Sequence, residues 1–130
     1  LRNSAASARA AAWRSARADR GARAEALAAA YLEGKGLRIV TRNYRCRGGE
    51  IDLIALEGAT TVFVEVRLRS SSDYGGAGES IQFFKRRRIL MAARYFLAGR
   101  AERLCRFDAV LLDRLAPEAI QWVRNAFSAD

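Results

Sequence analysis

The chain predicts a mixed α/β sheet with helices on its faces, in the order helix, three strands, helix, two strands. Three observations predict it. Two runs rich in strand formers, Gly49–Glu57 and Thr60–Arg69, flank a two-residue turn, Gly58-Ala59, with glycine at its first central position. A helical pattern, Asp19–Glu33, precedes them, and a second, Glu79–Gly99, follows. Further strands, Leu104–Asp113 and Ala119–Arg124, come after that second helix, which supplies the crossover a parallel pair requires. Only a layered α/β arrangement accommodates this order.

Each element has its local reason. Residues 1–17 are Ala/Arg/Ser-rich, with Trp13 the one large side chain after Leu1, and are expected as a flexible tail or a loosely attached helical extension. Their Arg, Ser and Ala without acid also resemble a transit peptide, but a frayed basic tail is the favoured reading. Residues 18–130 are expected as a single domain. Asp19 caps the first helix; Leu27, Ala28, Tyr31 and Leu32 form its apolar side, and Gly34 and Gly36 stop it. Glu25 lies on the edge of that side. Leu37–Tyr44 is a strand, and Arg45–Gly49 a basic turn. In the second hairpin strand Val62, Val64, Val66 and Leu68 point one way, and Phe63, Glu65, Arg67 and Arg69 the other. The valine side is core; the other becomes charged towards Arg69. Ser70–Gly78 is a Ser/Gly/Asp-rich loop in which Tyr74 is a candidate for stacking on a base. In the second helix Ile81, Ile89, Ala92 and Phe96 make a stripe that includes Lys85, with Arg86, Arg87, Arg88 and Arg94 around it. Pro117 breaks the chain before the last strand.

Counting outward from Gly58-Ala59 places Asp52 opposite Glu65, and Glu50 opposite Arg67. Carboxylates directly opposed on a sheet repel each other. The usual remedy is a shared cation, and a divalent metal held by carboxylate oxygens is the natural one. A structural ion network through Arg67 or Arg45 is the alternative, and Glu50 is an ion-pair partner for Arg67 or part of the metal's surroundings.

Composition narrows the chemistry. The 130 residues hold one core, and 51% hydrophobic content argues for a folded domain. Net charge is +9, carried almost wholly by arginine, since Lys35 and Lys85 are the only lysines. Such charge favours polyanions, nucleic acid before anionic membrane, although a high-Arg composition alone also accounts for it. The absence of histidine removes Ser-His-Asp and Cys-His catalysis and His-ligated zinc. Cys46 and Cys105 are too few for a zinc site, and no apolar run spans a bilayer. A reducing cytoplasm is the default location.

The run Gly49-Glu50-Ile51-Asp52-Leu53-Ile54, followed by Phe63-Val64-Glu65-Val66-Arg67, resembles the bacterial YraN-like family. That family looks like a member of the restriction-endonuclease-like PD-(D/E)XK superfamily, close to archaeal Holliday-junction resolvases. The resemblance covers roughly Asp19 to Phe127. It includes Glu25, Ala28, Tyr31 and Leu32; Asn43 and Arg45; Lys85, Arg88, Ala92, Ala93 and Tyr95; and Arg106-Phe107-Asp108 with Asn125-Ala126-Phe127.

The resemblance implies a restriction-endonuclease-like mixed sheet and a metal-dependent endonuclease acting on DNA rather than RNA, with branched or structured DNA in view. Asp52 and Glu65 become ligands of Mg²⁺ or Mn²⁺, Glu25 completes the acidic cluster, and the Val66 carbonyl offers a further oxygen. Arg67 stands where the motif has lysine. Arginine cannot act as a base, though it binds phosphate bidentately. Three readings stay open. Metal-bound hydroxide attacks with Arg67 as electrostatic helper; or Lys85 replaces the missing lysine rather than merely snorkelling from its apolar stripe; or chemistry is lost and nucleic-acid binding remains. Arg45, Arg47, Arg69, Lys85, Arg86 and Arg88 are the expected contacts to the nucleic-acid backbone, and Arg106 with Asp108 is read as a local structural pair. Resolvase-type nucleases often cut as dimers, so a homodimer is an expectation, without a dimer surface legible in the sequence.

Overall fold

In a computed structural model that describes residues 4–69, 83–101 and 104–129, five strands form one sheet in the order β1-β2-β3-β4-β5. The elements are α1 (Ser4–Gly34), β1 (Arg38–Cys46), β2 (Gly49–Glu57), β3 (Thr60–Leu68), α2 (Phe83–Leu97), β4 (Cys105–Leu112) and β5 (Ile120–Phe127). A 3-10 turn, Pro117–Ala119, leads into β5. β3 and β4 run parallel and the other neighbours antiparallel, so α2 is the crossover that the parallel pair demands. The mixed α/β sheet with flanking helices, in the order αβββαββ, is the architecture the sequence predicts. Tyr74, Ile81 and the Ser/Gly/Asp-rich loop lie outside the described residues.

Both faces of the sheet are covered. Ala24, Ala28, Ala29 and Leu32 of α1 pack with Leu53, Ala55, Val62, Val64, Val110 and Leu112. Ile89, Ala92, Ala93 and Phe96 of α2 pack with Ile54, Phe63, Phe107, Leu111 and Phe127. This explains why β3 is apolar on both sides through Val64 and not only on its valine side. Phe63 stacks on Phe107, which stacks on Phe127, at centroid distances of 5.3 and 5.0 Å.

α1 begins at Ser4, far earlier than the Asp19 start expected for the first helix. The alanine and arginine of the opening segment have the propensity to continue it, and its residues 4–23 are exposed throughout. The helix ends in a Schellman motif. Gly36, at φ +98°, donates its N–H to the Glu33 carbonyl, and Leu37 donates to that of Leu32, both at 3.0 Å. Leu37 and Leu32 are both buried, which supplies the apolar contact of the motif.

The β2–β3 hairpin turns at Gly58, at φ +59°, and pairs Glu57 with Thr60 through to Leu53 with Val64. This is the expected register. Gly49 has a different job from the turn role its sequence context suggests. A Cβ there would lie 2.3 Å from the Arg88 carbonyl oxygen and 2.8 Å from the Ala92 nitrogen. β2 therefore begins directly beneath the backbone of α2.

Because both obstacles are backbone, Gly49→Ala should force strand and helix apart and destabilise the fold by about 2 to 3 kcal/mol. Urea unfolding checks this; a change under about 0.5 kcal/mol would contradict the close approach.

Candidate active site

The acid pair forms where the sheet begins to splay. The described β2–β3 pairs stop at Leu53–Val64, and one step further Asp52 accepts a hydrogen bond from the Val66 N–H at 2.8 Å. A side-chain carboxylate thus takes a strand amide and is held against β3. Glu65 lies beside it, within hydrogen-bonding reach of Asp52 and only 4% exposed.

Burial pushes the Glu65 pKa up, the hydrogen bond with Asp52 and the Asp52 charge push it further, and the result is about 9. At neutral pH the pair accordingly shares a proton instead of carrying two charges. Lys85, reaching down from the first turn of α2, forms an ion pair with Glu65. Burial works to lower the Lys85 pKa, but Glu65, with Asp52 and Glu50 behind it, outweighs that and the net shift is upward. Lys85 is thus an ammonium ion set against the acid pair.

Glu25 approaches from α1 and is half-buried. Burial raises its pKa, and the Asp52 charge adds to that, while a hydrogen bond with Asn43 and the charge of Arg45 oppose it. Asn43 sits at φ +51°, a left-handed conformation that Asn tolerates better than most residues. Among the described residues no group of three His, Cys, Asp or Glu side chains is close enough to hold a metal ion. The fold brings Asp52 and Glu65 together and leaves Glu25 as a neighbouring charge.

The cations divide into two sets. Arg45 and Arg88 each stand 3.9 Å from Glu50, which corrects the expectation that Glu50 pairs with Arg67. The reason is that Glu50 pairs with Arg45 across the β1–β2 ladder and lies under α2, while the β2–β3 ladder has already parted. Arg47 is exposed in the β1–β2 turn, and Arg67 is half-buried two residues beyond Glu65 on the same face of β3. Arg86 leans over the Phe127 ring at 5.5 Å. Arg69 binds Asp113 through Nε and Nη2 at 3.1 and 2.8 Å, with its side chain only 10% exposed. Lys85 therefore lies against the acid pair and Arg45 and Arg88 beside the neighbouring Glu50, whereas Arg86 and Arg69 are engaged elsewhere.

A second polar cluster was legible only as a local Arg106–Asp108 pair. Asp108, fully buried, accepts hydrogen bonds from Arg106 Nε, Trp122 Nε1 and the Asn125 N–H at about 3.0 Å. Arg106 continues to Glu57 at 2.7 Å, which Arg124 grips with both terminal nitrogens. Arg124, with Arg106 behind it, holds the Glu57 carboxyl down at about 2. The signal for this network lay in Asn125, whose φ of +52° marks the irregularity where β5 bends round the Asp108 carboxylate. Asp108 pairs in register with Val64, one position from Glu65 but on the opposite face of the sheet, and its three donors make it a clamp on β4 and β5.

The model of the family described as Uncharacterised protein family UPF0102 matches residues 24–112, from Ala24 of α1 to the end of β4. The chain belongs to that family. A UPF0102 protein of Dechloromonas aromatica is 57% identical over 111 residues, covering 85% of this chain and 90% of the relative. One from Methylobacillus flagellatus is 51% identical, covering 82% and 94%. One from Pseudomonas aeruginosa is 46% identical, covering 85% and 94%. The YraN-like resemblance is thereby confirmed. The family's matched stretch contains Glu25, Asp52, Glu65, Arg67 and Lys85.

An acid whose folded pKa lies above its unfolded value holds its proton more tightly in the folded state. The contribution of Glu65 is complete below about 4.5 and is lost as pH rises towards and through about 9. The metal-free protein should thus lose melting temperature across that window, and Glu65→Gln should flatten the fall. Parallel profiles for wild type and variant would show that Glu65 does not carry the proton.

Proposed function

We propose that this UPF0102 protein is a divalent-metal-dependent nuclease of the PD-(D/E)XK kind, hydrolysing phosphodiester bonds of DNA, with branched or structured DNA its favoured form. The observation that supports this most is the buried Glu65 beside Asp52 with the Lys85 ammonium against it. Burying like charges side by side is unfavourable unless the site exists to hold positive charge. The donor set is all oxygen, which suits Mg²⁺ or Mn²⁺ and not a soft metal. Asp52 and Glu65 are the residues that would hold the ion, with Glu25 as a further carboxylate whose charge feels Asp52. When bound, such an ion lowers the pKa of water and offsets the charge of the scissile phosphate.

The remaining residues supply binding and charge. Lys85, kept protonated by its acidic surroundings, donates hydrogen bonds to a phosphate oxygen rather than accepting a proton. It provides the ammonium that Arg67 cannot. Arg67 offers a bidentate grip on phosphate from the same strand. Arg45 and Arg88, beside Glu50, and Arg47 in the exposed β1–β2 turn hold the adjoining nucleic-acid backbone. The net charge of +9 draws the polyanion to the site. A homodimer in the cytoplasm belongs to the same reading. Cys46 and Cys105 are free thiols, and no helix among the described residues is long and apolar enough to cross a membrane.

One observation favours a second reading, a nucleic-acid binder on a retired nuclease. Lys85 already sets a positive charge against the acid pair without any metal, and Arg67 occupies the motif-lysine position. Single-turnover cleavage of branched DNA in Mn²⁺ separates the two. The nuclease reading predicts cleavage that Asp52→Asn and Glu65→Gln abolish. It also predicts that Lys85→Met slows cleavage by about a hundredfold or more while the bound DNA stays bound. Tight binding without cleavage, together with a large gain from Arg67→Lys, would establish the second reading. Cleavage unchanged in Asp52→Asn would sink the first.

A further inference from the structure

A cleft of about 520 Å³ opens between the exposed part of α1 and the end of β3, lined by Trp13, Ala16, Arg17, Arg20, Gly21, Leu68 and Arg69. Its size falls within the range of sites that take a small molecule or one residue of a polymer. Three of its side chains are guanidinium groups, and none of the described residues lining it is a carboxylate. Arg69 is fixed in place by Asp113, so one wall is rigid. Opposite stands Trp13, 63% exposed, with Arg17 over its ring at 5.3 Å.

The sequence of α1 extends this arrangement. Arg9, Trp13, Arg17 and Arg20 follow one another at spacings of four, four and three, which places them on one face of the helix. Nothing in the fold's stability calls for an indole there, since residues 4–23 of α1 are all exposed. Along the chain the cleft follows the acid pair, with Leu68 and Arg69 three and four residues beyond Glu65 and Leu68 on the opposite face of β3.

We infer that this cleft is a subsite for an unpaired nucleotide, stacking its base on Trp13 and seating the flanking phosphates on Arg17 and Arg20, with Arg69, held by Asp113, as its fixed wall. Arginines interleaved with an accessible aromatic ring are what single-stranded nucleic acid requires, because each base presents a π-face and each linkage a charge. A duplex keeps its bases stacked inside and has no ring to offer. A membrane would need an apolar stripe, and Trp13 is the one large apolar residue between Ser4 and Arg23 of the helix. An acidic peptide would use the arginines and leave the indole idle. The inference takes its ligand class from the nucleic-acid reading above, but it needs no cleavage. It gives that nuclease a preference for DNA with a single-stranded arm.

The test uses the full chain without divalent metal, following tryptophan fluorescence. Trp122, the other tryptophan, is half-buried and bonded to Asp108, so Trp13→Phe gives the baseline signal. A short oligothymidylate should quench Trp13. Trp13→Ala should weaken its binding about tenfold, and an abasic oligonucleotide of equal length should bind wild type as weakly as the oligothymidylate binds that variant. Arg17→Ala with Arg20→Ala should flatten the salt dependence. Equal affinity for the abasic strand, no effect of Trp13→Ala, or equal quenching by polyglutamate, by a matched duplex or by anionic phosphatidylserine vesicles would overturn the inference. Because these readings follow Trp13 without divalent metal, whereas Mn²⁺ binding and cleavage read the acid pair, a failure of the metal site and a failure of the cleft are told apart.

Discussion

Two carboxylates held side by side at the edge of a hydrophobic core are the constraint on which this structure turns. Their opposition is imposed by a hairpin whose register is set by the turn at Gly58. Asp52 is anchored by the Val66 amide, and Glu65 is buried, so neither can swing away into water. The electrostatic conflict is met locally, by a shared proton and by the ammonium of Lys85. A site that tolerates this conflict stores a standing affinity for positive charge, and that affinity links the fold to the proposed chemistry.

The second helix delivers the cation because of how closely it lies on the sheet. Gly49 lets β2 pass beneath the backbone at Arg88 and Ala92. Ile89, Ala92 and Phe96 then seat the helix on Ile54, Phe63 and Phe107. Lys85 and Arg88, on the same side one turn earlier, are brought to Glu65 and Glu50. The far strands contribute differently. Asp108, Arg106, Trp122 and Asn125 tie β4 to β5 through a buried carboxylate whose hydrogen bonds are satisfied. One buried acid is thus fully bonded and structural, while the other, Glu65, is left in conflict with its neighbour. That contrast sets the two clusters apart.

Much of this was readable before any coordinates. Alternation in Thr60–Arg69, the glycine of the hairpin turn and the crossover helix define the sheet order, because each depends on local patterns of period two or near four. The opposition of Asp52 and Glu65 followed from counting residues across a two-residue turn. Glu50 escaped that counting, since the ladder parts once Asp52 takes the Val66 amide, an event of side-chain geometry that no pattern announces. The reach of Lys85 was open for a similar reason: a lysine within an apolar stripe reads equally well as a snorkelling side chain. Gly49 looked like part of a turn because a close helix approach and a turn use the same residue. The opening Ala/Arg segment, which lacks a core-facing side, read as either a flexible tail or a helical extension, and propensity decided for the helix.

The most direct test of the acid pair is calorimetric titration of the metal-free wild type with Mn²⁺ in two buffers of different ionisation enthalpy, with Asp52→Asn as control. If the pair is a metal site, binding is stoichiometric, releases close to one proton per ion near neutral pH as Glu65 gives up the proton it holds, and is lost in the variant. Mn²⁺ bound equally by wild type and Asp52→Asn, or no binding by the wild type at all, would contradict the account and leave Lys85 as the only cation this pair accepts.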